Sequence, residues 1–499
     1  MARVAFAPLE KDKNRYNTSV LSTAVNALPL PDGWGPLKAP VSIDPVYNYL
    51  TDELGNRLLD HDGNRIITGP SGVPINGTVN IVGEVLGCVA VRKADGSERL
   101  FAGTATQLLE FNYNTYIWDD VSRISGGAYA ATARWSFAKF GSKLYAQNGF
   151  DVEQKIDIEN DTYFSANATA PVARYLAVVR DFLWRGNIAN YPYQVQWSAF
   201  NNPEANTVTV DFSDYQDMPE GDEVMGIVPI TGGAHIWMRS ALHTMAVTFG
   251  NPPITRQTAD TVRGTNAPYS IAIIGQDDYV IYCDDGFYRY KGGGLNPIGD
   301  GRFNKWFLTE CDQQEIENMV GNVDPENAVV WWSYTDNDGA RKLLGYHYLR
   351  DQFMTSDVSI QASMRARTFL YEVDGATVLE DDLPRFAAIN DEGRLVYLAG
   401  ENLEATIITN EISFNGTRRV FVNGVRLDSD AVNYTVTIET ADYKGGDFRS
   451  RSPSAPSRRT GNASVRADGR VHRLTFIIPE GEPWTVATGA DVNLASGGK

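Results

Sequence analysis

Apolar and polar positions along this chain alternate over short stretches far more often than they recur at the spacing of a helix. Runs of β-branched and aromatic residues, closed by Gly, Asn or Asp turn pairs, follow one another almost from end to end. Residues 207–212, 279–283 before Asp285-Gly286, 329–334 before Asp338-Gly339, and 394–398 after Glu392-Gly393 each read as a strand with its turn. The best helical pattern is 309–320, where Thr309 stands as a cap and Asp312 completes a capping box. Strand is the main ingredient and helix a minor one.

The strands come in groups. Residues 135–158 (WSFAKFGSKLYAQNGFDVEQKIDI) read as strand, turn at Gly141, strand, turn at Asn148-Gly149, strand. Residues 270–293 (SIAIIGQDDYVIYCDDGFYRYKGG) repeat that order, and weaker copies lie at 175–187, 227–250, 319–348 and 385–400. A unit of three or four strands cannot bury both faces alone. Radial stacking at roughly 40 to 50 residues per unit solves this, so 84–402 is expected to form a β-propeller of about six blades. Two packed β-sandwiches are the alternative, since they show strands at similar intervals. Trp331 and Trp332 are neighbours on one strand, so their rings point to opposite faces, one toward an interface between units and the other within a sheet.

The flanks differ. Pro8, Pro29, Pro31, Pro36 and Pro40 punctuate the start, and proline lacks the N–H that a central strand needs. Residues 1–50 therefore read as an extended arm, with Lys11, Lys13, Arg15, Tyr16 and Trp34 as candidate assembly contacts. Residues 51–83 repeat Gly-Asn-Arg (55–57 and 63–65) around a turn at Asp62-Gly63, a small hairpin. Residues 403–499 read as a C-terminal β domain with a hairpin across Asn423-Gly424. Its segment 443–464 is rich in Gly, Ser, Pro and Arg and reads as an exposed, flexible loop.

Charge narrows the function. The 499 residues carry 44 Lys and Arg against 62 Asp and Glu, a net −18, which disfavours a surface built to grip nucleic-acid phosphates. The one basic concentration is 444–473, eight Lys and Arg against Asp447 and Asp468. Either it is a solvated loop or Lys444, Arg449, Arg451, Arg458 and Arg459 dock an acidic partner or make a transient phosphate contact. Cys88, Cys283 and Cys311 have no metal or disulfide spacing, in keeping with a reducing cytoplasm during synthesis. The N-terminus lacks a secretory apolar core, and 66–83, the most membrane-like stretch, is broken by two prolines and four glycines. No membrane insertion is expected.

Catalytic patterns are sparse. No GxSxG, HExxH or phosphate-binding loop is present, and the five histidines are scattered. Asp60-His61-Asp62 reads as a solvated turn rather than a cation site. Asp284-Asp285 and Glu380-Asp381-Asp382 supply the carboxylates a glycosidase needs but fall on turns, where aspartates bond their own backbone. No cofactor, metal or catalytic residue is assigned.

Several segments in order, FAGTATQLLEFNYNTYIWDDVSR (101–123), WSFAKFGSKLYAQNGFDVEQKID (135–157), YLAVVRDFLWRGN (175–187) with VQWSAFNNPE (195–204), and the stretch 267–307, resemble the tail-hub or nozzle proteins of short-tailed bacteriophages. Packaged-DNA stabilisation proteins belong to that group. The opening (12–37) and closing (469–492) segments are similar too. The resemblance implies a non-enzymatic virion ring, typically a hexamer, on a β-propeller, attached below the portal and its adaptor proteins. It would meet tail fibres or spikes and retain, then conduct, double-stranded DNA. Charge adds an expectation of its own: an acidic lumen would let the polyanion pass without being held. The alternative function is a propeller that binds host glycans or hydrolyses them.

Overall fold

The computed structural model describes residues 1–42, 48–49, 67–68, 80–113, 115–248, 254–367, 371–373, 376–378, 383–416 and 418–496. The chain is all-β. Six four-stranded antiparallel sheets, and the first four strands of a nine-stranded sheet, surround one axis as blades. Blade 1 spans 87–120, blade 2 136–166, blade 3 173–217, blade 4 224–260, blade 5 272–297 and blade 6 320–356. Blade 7 comprises Ile360–Arg367, Pro384–Asn390 and Leu395–Asn402, with Lys38–Ser42 from the other end of the chain as its outermost strand.

The innermost strands touch in rotation. Gly87–Arg92 lies against Ser136–Phe140, that against Ala173–Val179, and that against Val224–Ile230. Ala272–Gly275 meets Val320–Asp324, which meets Ile360–Arg367, and the last returns to Gly87–Arg92 and closes the ring. Between blades 4 and 5 a Cβ at Gly226 would stand 2.7 Å from Ile271 Cδ1, so glycine there allows the close approach. The propeller expected from the sequence is therefore the fold, with seven blades where about six units were expected. The unit not singled out in the sequence is blade 1, and blade 7, recognised at 385–400, draws its fourth strand from a segment read as part of an arm.

Hydrophobic clusters sit between successive blades, which is why most blades are apolar on both faces. Leu100 and Phe111 of blade 1 pack with Met364 and Ile389 of blade 7, and Trp184 of blade 3 with Ile236 of blade 4. Trp331 and Trp332 are both buried. The Trp332 indole N–H donates to the Ser270 carbonyl before blade 5 at 2.8 Å. Ser333, on the Trp331 face, donates to Ile360 of blade 7 at 2.8 Å. Trp332 thus reaches the segment before blade 5, while the Trp331 ring lies over Gly345 of its own sheet, as expected of one ring at an interface and the other within a sheet. One interface is polar at its centre. Arg185 of blade 3 makes a bidentate pair with Glu153 of blade 2 at 2.7 and 2.9 Å, both side chains wholly buried. Asn206 accepts from Arg185 and Asn167 donates to Glu153 at 2.7 Å each, and the Pro203 carbonyl and Gln147 amide add a bond to each partner at 3.0 and 3.1 Å.

The flanking segments form a second β unit fused to blade 6. Its outer strand Gln352–Ser356 pairs in parallel with Leu21–Val25, and the sheet continues through Ala405–Thr409, Val471–Ile478, Thr435–Ala441 and Arg449–Ser450. A facing sheet carries Val420–Ser429, Ala487–Ser496, Ala2–Ala5 and the hairpin Ala27–Leu30 with Gly33–Pro36. The first 42 residues are thus built into the fold and are not an extended arm. The prolines that suggested one are accommodated where ladder bonds are dispensable: Pro29 on an edge strand, Pro31 beyond it and Pro40 on the rim of blade 7.

Four local expectations also change. Val420–Ser429 runs as one strand through Asn423-Gly424, with a bulge between Val422 and Gly424 in place of a hairpin turn. Residues 207–212 form turns, with Thr209, Asp211 and Phe212 at positive φ, and the fourth strand of blade 3 is Asp214–Asp217. The helix is Asn304–Glu310, anchored by buried Phe307, so Thr309 lies near its end. The segment 443–464 is tied down: Ser454 exchanges backbone hydrogen bonds with Val436 at 2.9 and 3.0 Å, and Ala463 with Val425 at 2.8 and 3.0 Å. The turn at Asp62-Gly63 and residues 60–62 and 380–382 lie outside the described residues; the pairing of Asn48–Tyr49 with Ile67–Thr68 lies within them.

Candidate functional surfaces and the axial cavity

The residues singled out near the N-terminus make contacts within their own chain. Lys11 Nζ lies 5.4 Å from the Trp306 ring centroid and 3.4 Å from Thr23 Oγ1, and burial lowers its pKa. Lys13 stands 3.9 Å from Glu10, and Arg15 3.2 Å from Glu411 of the C-terminal segment. Tyr16 is capped by Lys444, whose Nζ is 5.5 Å from its ring. Trp34 is only 1% exposed and donates to the Ala7 carbonyl at 3.2 Å. Trp34 is a core residue here, not a surface contact, because the hairpin that carries it packs into the second β unit.

Lys444, Arg449, Arg451, Arg458 and Arg459 are all exposed. Arg449 pairs with Asp442 at 2.9 Å; among the described residues no carboxylate pairs with Arg451, Arg458 or Arg459. The structure brings Tyr16 and Lys444 together, joining the two predicted groups at one point, while Arg458 and Arg459 sit on a separate turn that Gly461 closes.

The carboxylates considered for glycosidase chemistry take different roles. Asp285 accepts from the Tyr288 hydroxyl at 2.7 Å and pairs with Arg263 at 3.3 Å. Asp284 accepts from Asn266 at 2.7 Å, and desolvation raises its pKa. It lines a 420 Å³ pocket with Arg239, Asn266, Gln313, Gln314 and Glu317. Glu317 is engaged by Arg174 at 2.5 Å and Glu223 by Arg239, so neither is a free carboxylate facing Asp284. Among the described residues no three His, Cys, Asp or Glu side chains converge as a metal site, and no helix is long and apolar enough to cross a membrane. The described histidines are buried. His235 Nδ1 lies 2.8 Å from the Tyr279 hydroxyl, and burial lowers its pKa to about 4, as it does for His347.

The propeller axis holds a cavity of about 300 Å³, lined by the leading residues of all seven innermost strands and by the segments that enter blades 2 and 5. Its wall is mostly apolar, with Val89, Leu176, Ile227, Ile273 and Val320 among the lining residues. Arg134 is the one charged side chain in the lining. Its guanidinium donates to the Gln361 carbonyl at 3.2 Å, its Nε has no hydrogen-bond partner among the described residues, and burial lowers its pKa. Tyr269 donates to the Arg134 carbonyl at 3.4 Å, and Cys88, its thiol pushed up to about 12 by burial, belongs to the same wall. Sequence reasoning missed this cavity. Arg134 stands in a loop with no motif around it, and only ring closure brings the seven strands together.

No protein-family model and no curated protein matches the chain. Among solved structures it is similar to the extracellular domain of the hybrid two component system BT4673 from B. thetaiotaomicron, at 12% identity and TM-score 0.33. That match covers 78% of this chain, which spans about half (51%) of the other. It is also similar to YCF48 bound to D1 peptide (14%, TM-score 0.29, 57% of this chain and 98% of that one). A third is an exo-beta-1,3-galactanase from Phanerochaete chrysosporium (10%, TM-score 0.21, 72% and 95%). Likenesses this distant carry no inference about activity, partner or location.

Proposed function

We propose that this chain is a structural, non-enzymatic component of a bacteriophage virion, one copy of a tail-hub ring that retains the packaged genome and conducts it at ejection. The observation that carries the reading is the small size of the axial cavity combined with the acidic chain. A cavity of 300 Å³ passes no duplex, whose major groove alone is about 12 Å wide. A conduit must therefore be walled by several copies, and six at −18 each carry −108. Like charge keeps DNA from adhering, whereas a basic wall making 6 to 10 phosphate contacts would hold it strongly. Screening restricts the effect to within roughly 8 to 10 Å, so it acts where the bore is narrow. The ordered segments that resemble those of nozzle proteins support the same reading. Portal-adaptor proteins and tail fibres or spikes are the proposed neighbours, with the exposed basic turn at Arg458 and Arg459 available to an acidic one.

Antibody to this chain, imaged on negatively stained phage particles, tests the proposal. Label on the tail axis is expected, and absence of label from particles overturns it. The second reading, a glycan-binding or glycan-hydrolysing propeller, is favoured by the polar pocket around Asp284. It requires peripheral label, or release of reducing ends from host polysaccharide that Asp284→Asn abolishes.

A further inference from the structure

We infer that the axial cavity is a binding site for a small organic monocarboxylate, held by Arg134 with its apolar body against the strand walls. The argument is independent of any role in a virion. A buried charge is ordinarily paired, because removing it from water alone costs several kcal/mol. Arg134 is 7% exposed and has no carboxylate within ion-pair distance among the described residues. Glu84, whose charge reaches it, is taken up by Arg341. Its guanidinium has the Gln361 carbonyl as its one hydrogen-bond partner among the described residues, and guanidinium geometry suits the two oxygens of a carboxylate. A second donor stands on the wall: Ser136 Oγ accepts from the Leu176 N–H at 2.9 Å, which leaves its own hydrogen to donate. The rest of the wall is apolar and the volume of about 300 Å³ admits a ring or a short aliphatic chain, so the occupant has one anionic end and an apolar body. An inorganic oxyanion would leave that wall unfilled.

Titration calorimetry of the full chain at neutral pH, with sodium benzoate, benzyl alcohol and inorganic phosphate as probes, tests the assignment. Benzoate should bind one to one, and benzyl alcohol about tenfold to a hundredfold more weakly, the span of one charged hydrogen-bond partner. Arg134→Met should lose benzoate binding by a similar factor and Arg134→Lys should keep much of it. Val320→Phe, which fills the cavity and leaves Arg134 in place, should block binding and covers the case in which Arg134→Met fails to fold. Three results overturn the proposal: no benzoate binding up to about 10 mM, phosphate binding as tightly as benzoate, or unchanged benzoate affinity in Arg134→Met or Val320→Phe.

Discussion

Blades 3 and 7 present the same four-stranded pattern and differ in where the strands come from. In blade 3, Ala173–Val179, Phe182–Ile188 and Tyr191–Trp197 are joined by two-residue turns, with Arg180 and Asn190 at positive φ as tight hairpins require. In blade 7 the last pairing sets Val396 against Ser42 and Tyr397 against Val41, positions some 350 residues apart. Closing so long a loop costs roughly 4 kcal/mol more entropy than closing a hairpin. That cost is shared, because the same N-terminal segment also enters both sheets of the second β unit. Local pairing makes a blade; the ring and the fused unit are held by one distant segment.

The strongest way to break this contrast is to delete residues 1–42. That removes the rim of blade 7 and an interior strand of the nine-stranded sheet, so the truncated chain should lose cooperative unfolding by calorimetry and aggregate. An arm that served assembly alone would instead leave a folded chain. The next effect falls on the locally built side. Glu153→Ala strands a wholly buried arginine between blades 2 and 3 and should cost about 3–5 kcal/mol in denaturant unfolding. Glu153→Leu with Arg185→Leu should recover much of that loss, since the two charges then vanish together.

A third test uses pH. His235 and His347 have folded-state pKa values of about 4 against 6.5 for the free side chain, so the unfolded chain takes up protons first as pH falls. Stability from these sites is complete above pH 6.5 and declines between 6.5 and 4, with the larger loss at His235 because solvent screens His347 more. Replacing either by Phe should flatten the stability profile across that window; an unchanged profile would exclude the histidines as its source. The smallest effect belongs to the exposed pair of Arg449 with Asp442. Arg449→Ala should change stability by less than about 1 kcal/mol, with the difference vanishing in high salt.

Much of the fold was legible because strand and turn signals are local. The alternation within 135–158 and 270–293, with their Gly and Asp turns, corresponds to blades 2 and 5. The chain misled where one signal had two physical outcomes. Proline suggested an arm at Pro29 and Pro40, yet an edge strand tolerates proline equally well. Alternating β-branched residues at 207–210 suggested a strand, but the backbone turns left-handed at Thr209, Asp211 and Phe212 and ends it. Of the candidate sites, exposure of the basic cluster was readable from composition, whereas the burial of Trp34 depended on a hairpin packing into strands from both ends of the chain.

Composition and periodicity alone determined that this is an acidic, strand-built chain of repeated sheets, because turn chemistry and alternation act over a few residues. Only the tertiary structure decided the number of blades, the strand that closes the ring, the Glu153–Arg185 pair and the lone arginine on the axial wall. Each of those depends on residues far apart in the chain meeting at a distance of a few ångströms, and no local pattern encodes such a meeting.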